Sequence, residues 1–337
     1  MILPVFLPHL GCGTRCIYCN QDLITHGETE PIHERLERLL GKAGPRAEVG
    51  LYGGNPLGLQ FDELARLLQE FVPYESRIRN IRLSTKPRLI GEDVISLLKK
   101  HRVTTIELGM PCFNDEVLAK LRRGHTVGEF LASYEQLTSE GFLVGLQVMV
   151  GLPGETKGDV ETTASEILRL KPSFVRIYPL VVIEGTPLAA MHGAGEFTPL
   201  TLDEAVDRAL LIYLDCWDRM IPIVKMGLTD NDVIRRKILA GPYHPAFGYL
   251  VKSRAFYAAL LVRAREAHMS GDLTVTLNPS DVAHLTGYKR SQIQALDEAG
   301  LAVRWQSGDM TAGHFLLANG SLSVEGSVRD ARPMPLS

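Results

Sequence analysis

Cysteine is scarce in this chain, five residues in 337, and the number is odd. A disulfide framework is therefore excluded as the basis of the fold. Long apolar runs are missing as well. The N-terminal Ile2-Leu3-Pro4-Val5-Phe6-Leu7 is too short to span a bilayer and lacks the basic start and small-residue cleavage pattern of a secretory signal. Excess charge is also lacking: 36 Lys and Arg stand against 39 Asp and Glu, a net charge of −3. That excludes a general polyanion binder and leaves room only for local basic patches. Neither internal repeats nor a long low-complexity linker interrupts the chain. What remains, 45% hydrophobic and 22% charged residues, is ordinary globular usage. The expected location is cytoplasmic, where grouped cysteines bind metals or act in catalysis more often than they pair.

Three of the five cysteines fall within eight residues, in Gly11-Cys12-Gly13-Thr14-Arg15-Cys16-Ile17-Tyr18-Cys19. Iron-sulfur clusters are held by cysteine thiolates, and three thiolates serve three irons of a four-iron cluster. The fourth iron is then open to a cofactor or substrate, as the open position of a catalytic zinc site is. The competing readings are a zinc site completed by His9 or His26, and small inert thiols of a loop. Cys112 and Cys216 stand alone, which argues against a second cluster.

Short apolar runs alternate with longer amphipathic stretches, the pattern of βα units on a parallel sheet. Strands are expected at residues 2–8, 48–52, 80–84, 104–108, 142–148 and 173–178. Helices are expected at 31–40, 61–71, 92–100, 115–121 with 127–140, and 157–170, the last ending before Pro172. The fold class is α/β: a partial (β/α)6 TIM-like barrel over residues 1–200, with site residues on loops at the C-terminal strand ends. Residues 201–328 form a C-terminal α+β extension, with helices at 202–220 and 252–268 and one or two strands within 300–317. Residues 329–337 are expected to be a loose tail.

Further motifs sit at the predicted strand ends. They are Tyr52-Gly53-Gly54-Asn55-Pro56, Ser84-Thr85-Lys86-Pro87, Glu107 inside the fourth strand, Gly151-Leu152-Pro153-Gly154-Glu155-Thr156, and Arg176 on the sixth strand. A glutamate in an apolar strand is costly to bury unpaired. Glu107 is therefore expected to face the lumen as a site residue or to pair with Arg82 or Arg176. Thr156 is placed to cap the helix that follows it.

On the cysteine triad, Tyr18 and these strand-end motifs, the chain resembles the radical S-adenosylmethionine (radical SAM) superfamily. Gly53-Gly54 followed by Asn55, the run Arg122-Arg123-Gly124-His125-Thr126 and the run from Gly241 to Phe247 are similar to its elongator-protein-three-like and oxygen-independent coproporphyrinogen-oxidase-like branch. The resemblance implies a 4Fe-4S cluster at Cys12, Cys16 and Cys19 and S-adenosyl-L-methionine (SAM) as second cofactor. It also implies reductive cleavage of SAM to a 5′-deoxyadenosyl radical that takes a hydrogen atom from a substrate. By the same resemblance Tyr18 lies beside the adenine and Gly53 and Gly54 present backbone groups to the SAM amino group, with Asn55 where an acid is usual. Ser84 and Lys86 reach the ribose and methionine, the Gly151 turn flanks the adenine, and Arg176 lies near the SAM carboxylate. Reduced flavodoxin or ferredoxin is the implied electron donor.

The expected substrate is RNA, with tRNA suggested by the elongator relatives, or a small molecule or peptide. Tyr288-Lys289-Arg290-Ser291 and the basic stretch from Arg254 to Arg265 are candidate RNA contacts or simply a solvated face. Neither a following acetyltransferase domain nor a preceding cobalamin domain is expected, and no membrane partner. His125 and His244 are read as structural hydrogen-bonding residues, and Cys112 as cavity-facing or buried in packing. The alternative from another class is a noncatalytic iron-sulfur or zinc protein acting in electron transfer or as a scaffold.

Overall fold

The computed structural model describes residues 2–24, 30–42, 46–229, 232–320 and 322–331. Strands β1 (Ile2–Phe6), β2 (Ala47–Tyr52), β3 (Ile78–Thr85), β4 (Val103–Gly109), β5 (Leu143–Val150) and β6 (Phe174–Pro179) are followed by a two-residue β7 (Val182–Ile183), then β8 (Ile223–Met226) and β9 (Ile238–Ala240). The order β1-β2-β3-β4-β5-β6-β8 makes a seven-stranded sheet, every pairing in it parallel. β7 and β9 form a separate antiparallel ribbon.

Side chains alternate across each strand, so one face of the sheet meets the helices and the other faces inward. Val5, Leu51, Leu83, Ile106, Leu146 and Ile177 are fully buried beneath the helices, each worth about 1.5–3 kcal/mol of transfer free energy. The covering helices end where their caps say they should. Thr156 and Asp159 form a capping box at the start of helix Lys157–Leu170, and left-handed Lys171 ends it before Pro172. Thr201 and Glu204 open helix Leu202–Asp218 in the same way.

The six predicted strands are present, and the sheet gains a seventh. β8 is only four residues long and follows Pro222, too little pattern for a periodicity argument. It also lies beyond residue 200, so the sheet draws a strand from the segment expected to be extension. In the rest of that segment, helix Phe247–Glu266 packs against helix Leu202–Asp218. It also supports a second sheet of β10 (Gly271–Leu277), β11 (Leu301–Ser307), β12 (His314–Asn319) and β13 (Leu322–Ser327), in the order β11-β10-β12-β13. Helix Phe247–Glu266 carries buried residues around much of its circumference, among them Phe247, Val251, Ala255, Ala259 and Leu260, as a helix between two layers must. The expected loose tail starts too early: Val328–Ala331 form a turn in which Val328 and Ala331 are buried. Residues 332–337 lie outside the described residues.

Candidate active site

The inward face of the sheet is polar where a small barrel is usually filled with aliphatic side chains. At its centre Glu107 on β4 is fully buried and accepts five hydrogen bonds: from Arg176 Nε (2.7 Å) and Nη2 (3.1 Å), Gln147 Nε2 (2.8 Å), Arg82 Nη1 (3.0 Å) and Tyr52 Oη (3.1 Å). Burial opposes ionisation of Glu107, but the bonds from Arg176, Gln147 and Arg82 outweigh it and hold the carboxyl below its usual value. Arg82 also pairs with Glu48 at 2.9 Å and lies over the Phe174 ring. Register sets this convergence: Ser84 lies opposite Glu107, and Gln147 opposite Arg176. Gly145 leaves space at this level, since a Cβ there would run into the Phe174 ring.

Above this polar floor, at the C-terminal strand ends, opens a cavity of about 590 Å³, within the range of small-molecule sites. Cys12, Cys16, Tyr18, Cys19, Gly53, Gly54, Ser84, Lys86 and Arg176 all line it. Glu107 is not among the lining residues; it lies beneath them and orients Arg176 and Gln147. Arg176 borders the cavity and is also an ion-pair partner of Glu107, as is Arg82.

The cysteine loop is held by its neighbours. Asn55 donates from Nδ2 to Gly11 O (3.0 Å), and its Oδ1 accepts from Thr85 Oγ1 (2.7 Å) and the Lys86 amide (2.9 Å). One amide thus ties the cysteine loop to the ends of β2 and β3, a job that a carboxylate, having no donor, could not do. Lys86 Nζ donates to Thr14 O and Oγ1 (3.0 and 2.9 Å). Gly54 has to be glycine: a Cβ would lie 2.7 Å from Leu7 O and 2.8 Å from Leu10 O. On the far side, the Ile17 amide donates to Leu121 O at 3.2 Å.

The donor set suits the cationic core of a metal cluster. Burial raises the Cys12 and Cys19 thiols, and charge on Cys16 raises both further, Cys19 to about 11. A group that binds Cys12 and Cys19 as thiolates relieves that opposition. Among the described residues no three His, Cys, Asp or Glu side chains are grouped tightly enough to hold a single metal ion. Cys12, Cys16 and Cys19 nonetheless line the same cavity. His9, weighed as a zinc ligand, instead accepts from the Gln21 amide at 3.2 Å. His26 lies outside the described residues.

Cys112 is buried in packing, its thiol pushed up to about 12 by burial, and it does not line the cavity. Cys216 is buried as well. His244 Nδ1 accepts from the Ala246 amide and its ring packs edge-on against Tyr288, a structural role. Glu155 of the Gly151 turn accepts from the Gly151 amide (2.6 Å) and from Arg208 (3.0 Å), tying that turn to helix Leu202–Asp218. Gln147 and Arg123 carry more of the site than their sequence context suggested. Gln147 carried the same signal as Glu107, a polar side chain inside an apolar strand.

His125 supplies a pH dependence. Burial and the nearby positive charges of Arg123 and Lys86 bring its pKa from 6.5 to about 4. The unfolded chain therefore takes up a proton below pH 6.5 that the folded chain refuses until about pH 4, so His125's stabilising contribution is lost as pH falls through that window. Between pH 7 and pH 5 wild type is expected to lose about 2 kcal/mol more stability than His125→Gln. Urea unfolding at the two pH values measures this, and equal slopes for the two proteins would rule it out.

Residues 7–167 match the family model for the Radical SAM superfamily, and residues 172–256 match that for the Radical_SAM C-terminal domain. An uncharacterised protein of Methanocaldococcus jannaschii is 25% identical over 242 residues, 71% of this chain and 73% of that protein. The tRNA uridine(34) acetyltransferase of the same organism is 34% identical over 136 residues, 40% of this chain but 25% of the relative. The structure of archaeal Methanocaldococcus infernus Elp3 lacking residues 1–46 is similar in fold, with a TM-score of 0.57 and 22% identity, covering 74% of this chain and 61% of that one. The chain thus spans about a quarter of the acetyltransferase and less than two thirds of the Elp3 chain.

Proposed function

Because the chain belongs to the radical SAM superfamily, we propose that Cys12, Cys16 and Cys19 hold its 4Fe-4S cluster and that the strand-end residues around them seat SAM for reductive cleavage. The chain is a radical SAM enzyme, and its cofactors are a 4Fe-4S cluster and SAM. When bound, the cluster supplies one electron to the SAM sulfonium, and cleavage yields methionine and the 5′-deoxyadenosyl radical that attacks a substrate. The observation carrying the residue assignment is that all three thiols, Tyr18, Gly53, Gly54, Ser84, Lys86 and Arg176 border one cavity.

The chain's own groups then divide the work. Gly53 and Gly54 let backbone come close to the amino end of SAM. Ser84 offers a hydroxyl for the ribose or methionine, and Lys86, fixed by Thr14, brings positive charge to the cysteine loop. Arg176, held from below by Glu107 through Nε and Nη2, brings its positive charge and its remaining Nη1 protons to a carboxylate. Phe6, Met149, Leu180, Val181 and Leu228 give the cavity an apolar wall.

The electron donor in this reading is reduced flavodoxin or ferredoxin, and the setting is cytoplasmic; no described helix is long and apolar enough to cross a membrane. The substrate is RNA, a small molecule or a peptide. The likeness to part of a tRNA-acting enzyme makes tRNA the first to test, by filter binding at several salt concentrations. The reaction class is tested by anaerobic reconstitution with iron and sulfide followed by dithionite and SAM. Formation of 5′-deoxyadenosine is expected. Cluster-loaded protein that binds SAM and leaves it intact would point instead to a noncatalytic iron-sulfur protein.

A further inference from the structure

Arg123 is a buried cation with no carboxylate partner among the described residues. It lies in the turn after helix Asp115–Lys120, 7% exposed. Nη1 donates to Cys16 Sγ at 3.2 Å and to Tyr18 Oη at 3.2 Å, and Nη2 donates to Gly109 O. Nε has no hydrogen-bond partner. Gly109, at the end of β4, admits the guanidinium: a Cβ there would stand 2.7 Å from Nη2. The sequence thus gives up a side chain at one strand end to bring a charge to one sulfur.

An unpaired buried guanidinium is costly. The cost is offset when the sulfur it faces is a thiolate carrying part of the charge of an anionic cluster. Arginine keeps its proton throughout, so Arg123 presents a fixed positive charge to whatever Cys16 binds. Hydrogen bonds to ligand sulfurs and local charge are among the factors that set cluster potentials.

We propose that Arg123 sets the reduction potential of the cluster, acting through Cys16 as a positioning residue and stabilising the added negative charge of the reduced state. This rests on the assignment of Cys16 as a cluster ligand. The step concerned is transfer of one electron from an external reductant to the cluster, with no proton moved and no bond broken. Arg123 makes that reduction easier, so its removal makes it harder.

The test is a redox titration, followed by electron paramagnetic resonance, of anaerobically reconstituted wild type, Arg123→Gln and Arg123→Lys, with iron and sulfide content measured for each. Arg123→Gln is expected to load iron and to titrate at a more negative midpoint than wild type. Arg123→Lys, which keeps the charge but loses the fork, is expected to fall between them. If Arg123→Gln fails to load, Arg123→Lys carries the reading by titrating below wild type. A fully loaded variant with an unchanged or higher midpoint overturns the proposal. Cys16→Ala is measured alongside: a full cluster in that variant overturns the ligand assignment itself, whereas an unchanged midpoint in the Arg123 variants overturns only the role of Arg123.

Discussion

Glu107→Ala is expected to destabilise the protein by about 3–5 kcal/mol, the range found when one member of a buried ion pair is removed. The physical reason is the company Glu107 keeps. Its carboxylate is fully buried and pairs with two guanidiniums, Arg82 and Arg176, whose side chains are only 12% and 13% exposed. Removing it leaves both arginines desolvated, with Arg82 keeping Glu48 and Arg176 left to the Tyr52 hydroxyl. Typical domains are stable by about 5–15 kcal/mol in total, so the loss is a large fraction of what holds the fold. Glu107→Gln keeps the shape but not the charge, and it too is expected to be less stable than wild type. Urea unfolding followed by far-ultraviolet circular dichroism measures both. A Glu107→Ala midpoint within experimental error of wild type would show that the buried charge network contributes no net stability.

The second large effect is chemical. Cys16→Ala is expected to bring 5′-deoxyadenosine production below detection and to remove the iron and sulfide that reconstituted wild type retains. Of the three triad cysteines, Cys16 is the buried one, and it also receives Arg123. With one thiolate gone, the two remaining ligands no longer fix a four-iron cluster with a single open iron. The unfolding free energy of the cluster-free variant is expected to stay within about 1 kcal/mol of wild-type apoprotein, the ordinary cost of a single substitution. That separates loss of a ligand from loss of the fold. Retention of full SAM cleavage by a folded Cys16→Ala protein would refute the ligand assignment.

Much of the site was legible because chemistry concentrates unusual residues where packing would not. Three thiols in eight residues, paired glycines after a strand and a glutamate inside Val103–Gly109 are all locally improbable, and each marks the same end of the sheet. Asn55 is instructive in the other direction. Against the expected acid it is a departure; in the structure its donor reaches Gly11 O while its acceptor takes Thr85 and Lys86. Nothing in the local sequence announces three partners spread over more than seventy positions. β8 escaped for a different reason: four residues supply too few repeats of a period of two to be told from a loop.

The amino-acid sequence by itself determined the alternation of strands and helices, the polar residues within apolar strands and the spacing of the triad, because each depends on neighbours a few positions away. Only the tertiary structure decided which of those polar groups meet. Strand register places Glu107 between Arg82 and Arg176, the turn after helix Asp115–Lys120 carries Arg123 to Cys16, and β8 joins the edge of the sheet. Those pairings span from 25 to 107 positions. They are settled by the packing of whole strands and helices against one another, a long-range property that no short window of sequence contains.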